Sequence, residues 1–268
     1  MSTYSLRGLN WFNELAANAA EVAGLPASVK AADGTLGDRP ARFLAVVADT
    51  ANRFPRAQNG EVGLLEGWGL AQAVDSVIEL DRDIDSKRAL IAIIDVPSQA
   101  YGRREEALGL HLSLAGAAGA YAEARLAGHP VIALLVGKAM SGAFLAHGYQ
   151  ANRLIALNDS GVQVHAMGKA AAARITMRSV EDLERLAATV PPMAYDISAY
   201  ATLGLLWRLV QVGNAQGPDA ADLARVDAVL RDALADIQAD PTRGLGSRLG
   251  AENRQASARV RAKLRAQW

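Results

Sequence analysis

The stretch Gly137-Lys138-Ala139-Met140-Ser141-Gly142-Ala143-Phe144-Leu145-Ala146-His147-Gly148 holds the residue types best suited to chemistry. Small residues crowd a turn between an apolar run, Val131 to Val136, and a helical pattern. The first N–H groups of a helix lack an intrahelical acceptor. Gly142 and Ala143 are therefore candidate backbone donors to an anionic oxygen. The same residues also suit a plain turn that lets a helix pack closely on a strand. Ser141 belongs to the same turn, but Lys138-Ala139-Met140-Ser141-Gly142 lacks the Gly-x-Ser-x-Gly of a nucleophile elbow. A capping hydroxyl is the expectation for Ser141. Lys138 and Met140 are candidate substrate contacts, Lys138 as an attractor of anions.

A second loop, Pro97-Ser98-Gln99-Ala100-Tyr101-Gly102, follows another apolar run, Ala89 to Val96. Pro97, Ala100, Tyr101 and Gly102 are candidate wall residues of the same cleft, with N–H groups facing it. Of four histidines, His129 precedes Pro130 and reads as structural, and His111 as a surface residue within a helix. His147 and His165 are candidates for proton transfer; the alternative for each is a satisfied core or interface histidine. No His pair has metal-ligand spacing, and there is no His-Glu-x-x-His, Walker or Gly-x-Gly-x-x-Gly motif. No metal is expected.

These residues need a scaffold. Continuously apolar runs at 43–48, 89–96 and 131–136 read as strands covered on both faces. Helical spacing recurs at Leu64, Trp68, Ala71, Val74 and Ile78, and again from Ala107 to Ala124. Strands alternating with helices predict a parallel sheet, and both loops of interest leave the C-terminal ends of strands, where open α/β sheets bind ligands. Further strands are expected at 153–157 and 162–167, a capping box at Ser179-Val180-Glu181-Asp182, and helices through 193–214. Residues 1–40 read as an N-terminal arm, 41–215 as the main domain and 216–268 as a helical extension.

Composition narrows the class. Lys plus Arg equal Asp plus Glu at 28 each, which argues against a general nucleic-acid binder. Without cysteine there is no disulfide, thiolate nucleophile or Cys-ligated metal. No signal pattern opens the chain and no apolar run approaches ~18 residues, so a cytoplasmic protein without a membrane segment is expected. The tail is asymmetric: six Asp fall within 219–240, whereas 241–268 holds six Arg and Lys263 against Glu252 alone. Solvated helices of opposite charge would explain this; so would a basic patch for an acidic partner.

Several motifs together resemble the gamma subunit of biotin-independent malonate decarboxylase. They are Ala48 to Pro55, Gly60 to Trp68, Lys138 to Gly148, His165 to Arg174 and Pro191 to Asp196. More distantly, the layout is similar to the alpha half of acyl-CoA carboxyltransferases, with Ala143 in place of a glycine of the Ser-Gly-Gly-like turn. The resemblance implies a crotonase-like ββα spiral with C-terminal helices, and an active site shared with a beta subunit of similar fold. It implies decarboxylation of a malonyl thioester to an acetyl thioester. The acyl group would ride on the phosphoribosyl-dephospho-coenzyme A arm of an acyl carrier protein, with no cofactor bound directly. Gly142 and Ala143 would then act as donors near the enolate, the carboxylate or a water, and His147 or His165 as proton relays. A non-catalytic scaffold subunit and half of a biotin-dependent carboxyltransferase are the alternatives.

Overall fold

The computed structural model describes residues 4–240 and 244–268. The chain opens with α1 (Arg7–Leu15), then β1 (Ala20–Glu21), β2 (Val29–Leu36) and β3 (Arg39–Val46). After a long loop come α2 (Leu64–Leu80), β4 (Ala89–Val96), α3 (Arg103–Ala107) and α4 (Leu110–Leu126). Next are β5 (Val131–Met140), α5 (Ser141–Ala146), β6 (Arg153–Leu157) and β7 (Gln163–His165). The chain continues through α6 (Lys169–Thr176), α7 (Val180–Ala187), α8 (Ile197–Ala201) and β8 (Arg208–Val210), and finishes with α9 (Ala220–Ala239) and α10 (Gln255–Gln267).

One sheet runs in the order β1-β2-β3-β4-β5-β6-β8, with β7 attached to β5. From β3 to β8 it is parallel, as the apolar runs predict, but β1–β2 and β2–β3 are antiparallel. The expected N-terminal arm is thus part of the sheet. Arg42 of β3 explains why: it is buried, forks onto Asp33 of β2 at 2.8 and 2.6 Å, and donates to Ala73 O of α2 at 2.7 Å. Trp11 of α1 is fully buried, its indole N–H on Ala215 O at 2.9 Å. Residue 40 therefore falls inside a hairpin strand rather than at a boundary. Residues 193–214 also depart from expectation. Only α8 is helical there, and Arg208–Val210 pairs with β6 as an edge strand.

Residues β4 and β5 contribute at the centre are sealed on both faces. α2 and α4 cross close together because Gly67 leaves room: a Cβ there would lie 2.1 Å from Ser113 Oγ, which instead donates to Gly63 O and Leu64 O. β5 serves three neighbours. Val131–Leu135 pairs with β4 and β6, whereas Lys138–Met140 pairs with β7. The ladder shifts register at this point, as at a bulge, which bends a strand and re-aims its side chains. Asp95 occupies the bend. Its carboxylate accepts from Gly8 N–H at 3.1 Å and Lys138 N–H at 3.0 Å, and Gly137 is required beside it, since a Cβ would fall 2.0 Å from Asp95 Oδ1. The bend delivers Ser141 and Gly142 to the surface.

Candidate functional site

Ser141 opens α5 with φ of 59°, in the left-handed region that side chains rarely adopt. What holds it is its own hydroxyl, which donates to Ala166 O at 2.6 Å. The expected capping role is therefore replaced by a tether from α5 to the segment after β7. No side chain from the preceding turn caps the helix. Gly142 N–H instead donates to Gln99 Oε1 at 2.9 Å, across from the neighbouring loop. Ala143 lies in the same first turn but is fully buried and forms no part of the cleft wall that Ser141 and Gly142 present.

A cleft of about 450 Å³ opens in front of this turn. Ser141, Gly142 and Leu145 line one side, His165 and Ala166 a second, and Tyr149 and Tyr200 the far end. His165 stacks face to face on Tyr195, with ring centroids 3.9 Å apart and planes 11° from parallel. Met167 N–H donates to His165 Nδ1 at 3.3 Å. Nδ1 also lies 3.2 Å from Met167 O, and the ring tautomer sets which of the two bonds forms. Burial holds His165 below its ordinary range against the opposing pull of Met167 O, so the ring is neutral near pH 7.

His147 differs from expectation. It is fully buried, Nδ1 3.0 Å from Tyr121 OH and Nε2 3.1 Å from Ile93 O. Complete burial pushes it down to about 4. Both ring nitrogens are committed inside the core, and it does not line the cleft that His165 faces. His129 is buried with Nδ1 3.0 Å from Arg88 O, and His111 is exposed in the first turn of α4 rather than mid-helix.

The loop after β4 also departs from the reading that its N–H groups face the cleft. Ala100 is buried and donates to Val62 O at 2.8 Å, and Tyr101 N–H donates to Gln99 O at 2.9 Å. The Tyr101 ring is exposed under the guanidinium of Arg56, 4.1 Å away. Gly102 leads into α3, where a Cβ would strike Glu105 Oε2 at 2.3 Å. Pro97 and Lys138 line a different cavity of about 480 Å³, with Gly8, Glu61 and Asp95. Met140 is buried under the turn. The structure thus brings together Ser141, Gly142 and His165, and separates them from Pro97, Lys138 and His147. Gln99 and Tyr195 are the residues that sequence reasoning missed. Tyr195 stood within a quoted motif, and Gln99 within the singled-out loop, but neither carried a spacing signal of its own.

Among the described residues no cluster of three or more His, Cys, Asp or Glu converges as a metal site, and no helix is long and apolar enough to cross a membrane.

The family described as malonate decarboxylase gamma subunit (MdcE) matches residues 57–268. The malonyl-S-ACP:biotin-protein carboxyltransferase MADD of Malonomonas rubra is 37% identical over 180 residues, which cover 66% of this chain and 62% of that protein. The chain therefore spans less than two thirds of this curated relative. A chain of a Pseudomonas malonate decarboxylase hetero-tetramer in complex with coenzyme A is 69% identical with a TM-score of 0.93, covering 98% of this chain and 99% of that one. A chain of the Pseudomonas MdcD-MdcE hetero-dimer is 66% identical with a TM-score of 0.90 over the same shares. Transcarboxylase 12S, at 17% identity, superposes with a TM-score of 0.62 over 87% of this chain and 41% of its own, a likeness of fold alone. The crotonase-like fold expected from the sequence is the fold of this chain.

Proposed function

Because the chain belongs to the malonate decarboxylase gamma-subunit family, we propose that it supplies half of an active site in which a malonyl thioester loses CO₂. A beta subunit of similar fold supplies the other half. The substrate arrives on the phosphoribosyl-dephospho-coenzyme A arm of an acyl carrier protein and leaves as the acetyl thioester. The observation that carries this reading is the meeting of Gly142 N–H, the Ser141 tether and a neutral His165 in one apolar cleft.

Loss of CO₂ turns the thioester into an enolate, with charge on its oxygen. Oriented N–H donors lower that barrier, and removing one costs on the order of 10²–10³ in rate. Gly142 N–H rests on a neutral amide oxygen, Gln99 Oε1. An anionic oxygen entering the cleft exchanges for it and gains, since a bond to an ionised acceptor is roughly twice as strong. Gly142 N–H thus contacts the substrate carboxylate, its thioester oxygen or a proton-delivering water. The apolar lining weakens solvation of the departing carboxylate. His165 then carries or orients the proton that the enolate carbon takes up. His147 has no part in this step.

The test is CO₂ release. The chain assembled with its beta subunit should decarboxylate malonyl-carrier protein, and neither subunit alone should do so. An assembled complex that releases no CO₂ from this substrate overturns the reading. The name of the Malonomonas rubra relative favours a second reading, transfer of the carboxyl group to a biotinyl protein. Turnover that requires added biotinyl protein would select it.

A further inference from the structure

Among the described residues, six buried side-chain nitrogens and oxygens find no hydrogen-bond partner. Arg125 Nε, Arg248 Nε, Arg254 Nε and Tyr200 OH are four of them, and they share one neighbourhood. The charges of Arg248 and Arg254 act on Tyr200, and those of Arg125 and Arg153 act on Arg248. Orphaned buried donors are rare and costly, so a group of them calls for an acceptor.

Arg248 stands at the centre. It ends the 3-10 turn Gly246–Arg248 and is only 5% exposed. Its terminal nitrogens donate to Tyr149 O at 2.7 Å and to Ala151 O, which ties the turn to the segment after α5 and leaves Nε–H unspent. Those carbonyl oxygens carry no net charge. Arg153 is neutralised by Asp236 and Asp240. Among the described residues no ion pair reaches Arg125, Arg248 or Arg254. Burial, with Arg125 and Arg153 adding to it, brings Arg248 down to about 10 against the pull of Tyr149 and Tyr200. The guanidinium is therefore still charged at neutral pH. A charge taken out of water without a countercharge is strongly unfavourable.

Space for a countercharge lies beside it. A cavity of about 180 Å³ is lined by Arg153, Ser247 and Arg248 together with Leu205 and Trp207. A water takes roughly 30 Å³, so the cavity accommodates a tetrahedral oxyanion. Leu205 also lines the cleft that holds Ser141 and His165, so the two spaces share a wall. Water could satisfy the donors but not the charge. Three unpaired guanidinium groups suit more than one negative charge, which a phosphate carries and a lone carboxylate does not. Arginine also matches phosphate oxygens in geometry.

We propose that this cavity binds a phosphate dianion, with Arg248 as its main partner and Arg125 and Arg254 supplying the surrounding positive field. Two sources have this chemistry: free phosphate, and the diphosphate of a coenzyme A-type arm. Only the second source rests on the proposed function.

The experiment titrates inorganic phosphate into the assembled complex by calorimetry, in a low-salt buffer free of phosphate. One site per copy of this chain is expected. Arg248→Met keeps an apolar stem and removes the charge, and should weaken phosphate binding at least tenfold. Because Arg248 also tethers Tyr149 and Ala151, a second variant leaves it in place. Ser247 is exposed on the same turn, and Ser247→Asp brings a carboxylate to the cavity. Phosphate affinity should again fall at least tenfold, while the melting temperature holds or rises. A parent complex that takes up no phosphate overturns the proposal, as does parental affinity in either folded variant. Titrating coenzyme A with and without phosphate separates the sources: competition assigns the site to the arm, simultaneous binding to free phosphate, and either upholds it. Calorimetry reads binding without turnover, so a complex that takes up phosphate yet releases no CO₂ counts against the proposed function and upholds the site.

Discussion

His147 and His165 stand on either side of the turn at Ser141, and their surroundings differ in every respect that bears on chemistry. His147 closes the C-terminal end of α5, sealed among β4 and α4, with both ring nitrogens engaged. His165 ends β7, half-buried on Tyr195, and opens onto the cleft. In both cases burial favours the neutral ring. The perturbed titration therefore does not distinguish a functional histidine from a structural one; access and unspent hydrogen-bonding capacity do. The core side of the turn fixes the backbone, and the cleft side uses it.

The sharpest way to break this comparison is at His165. In the assembled complex His165→Gln should lower kcat for CO₂ release by about 10²–10⁴-fold, the usual worth of a positioned proton carrier. Thermal stability should barely move. Full turnover in this variant would reduce His165 to a wall of the cleft. His147→Ala should do the reverse. It opens a cavity and strands Tyr121 OH and Ile93 O inside the core, at a cost of about 3 kcal/mol, measurable by urea denaturation. Turnover per folded complex should remain near that of the parent.

Acid offers a finer separation. His147 titrates near 4 when folded and near 6.5 when unfolded. Below pH 6.5 the unfolded chain takes up a proton that the folded chain refuses. The contribution is thus complete above pH 6.5 and is lost progressively as the pH falls toward 4, up to about 3 kcal/mol in all. Melting curves between pH 7 and pH 4.5 should show this decline in the parent protein and a shallower one in His147→Ala. Equal slopes would mean that other groups govern acid unfolding.

The same contrast explains what the sequence could disclose. The parallel core from β3 to β6 was legible because strands covered on both faces are almost continuously apolar, and the runs at 89–96 and 131–136 say so directly. The turn at Gly142 was legible because small residues cluster where a strand gives way to a helix. The N-terminal hairpin was not, since β2 carries Lys30, Asp33 and Gly34. Its eight-residue ladder with β3, reinforced by the fork of buried Arg42 onto Asp33, makes it part of the sheet, and both are contacts across strands. Nor could periodicity reveal that residues 208–210 add an edge strand, because three residues have no period. The two histidines were indistinguishable for a related reason: which side of a turn a side chain faces depends on the bend at Gly137, which is set by Asp95 from another strand. Loop 97–102 looked like a source of free donors until its partner, Val62, was seen beside it.

The smallest expected effect lies at Gln99, where core and cleft meet. Its amide oxygen occupies Gly142 N–H, and its backbone carbonyl is bound by Tyr101 N–H. Removing the side chain leaves the loop anchored through Ala100 and Val62. Gly142 is only partly buried, so water can replace the lost acceptor and stability should change by no more than about 0.5 kcal/mol. The effect on catalysis depends on whether Gln99 merely plugs the donor. As a plug, it competes with the substrate anion, and Gln99→Ala should lower KM by about two- to threefold with kcat unchanged. A fall in kcat with KM unchanged would mean that the Gln99 amide turns toward the substrate and stabilises the transition state itself. In that case the boundary between the side that fixes and the side that reacts runs through this residue rather than behind it.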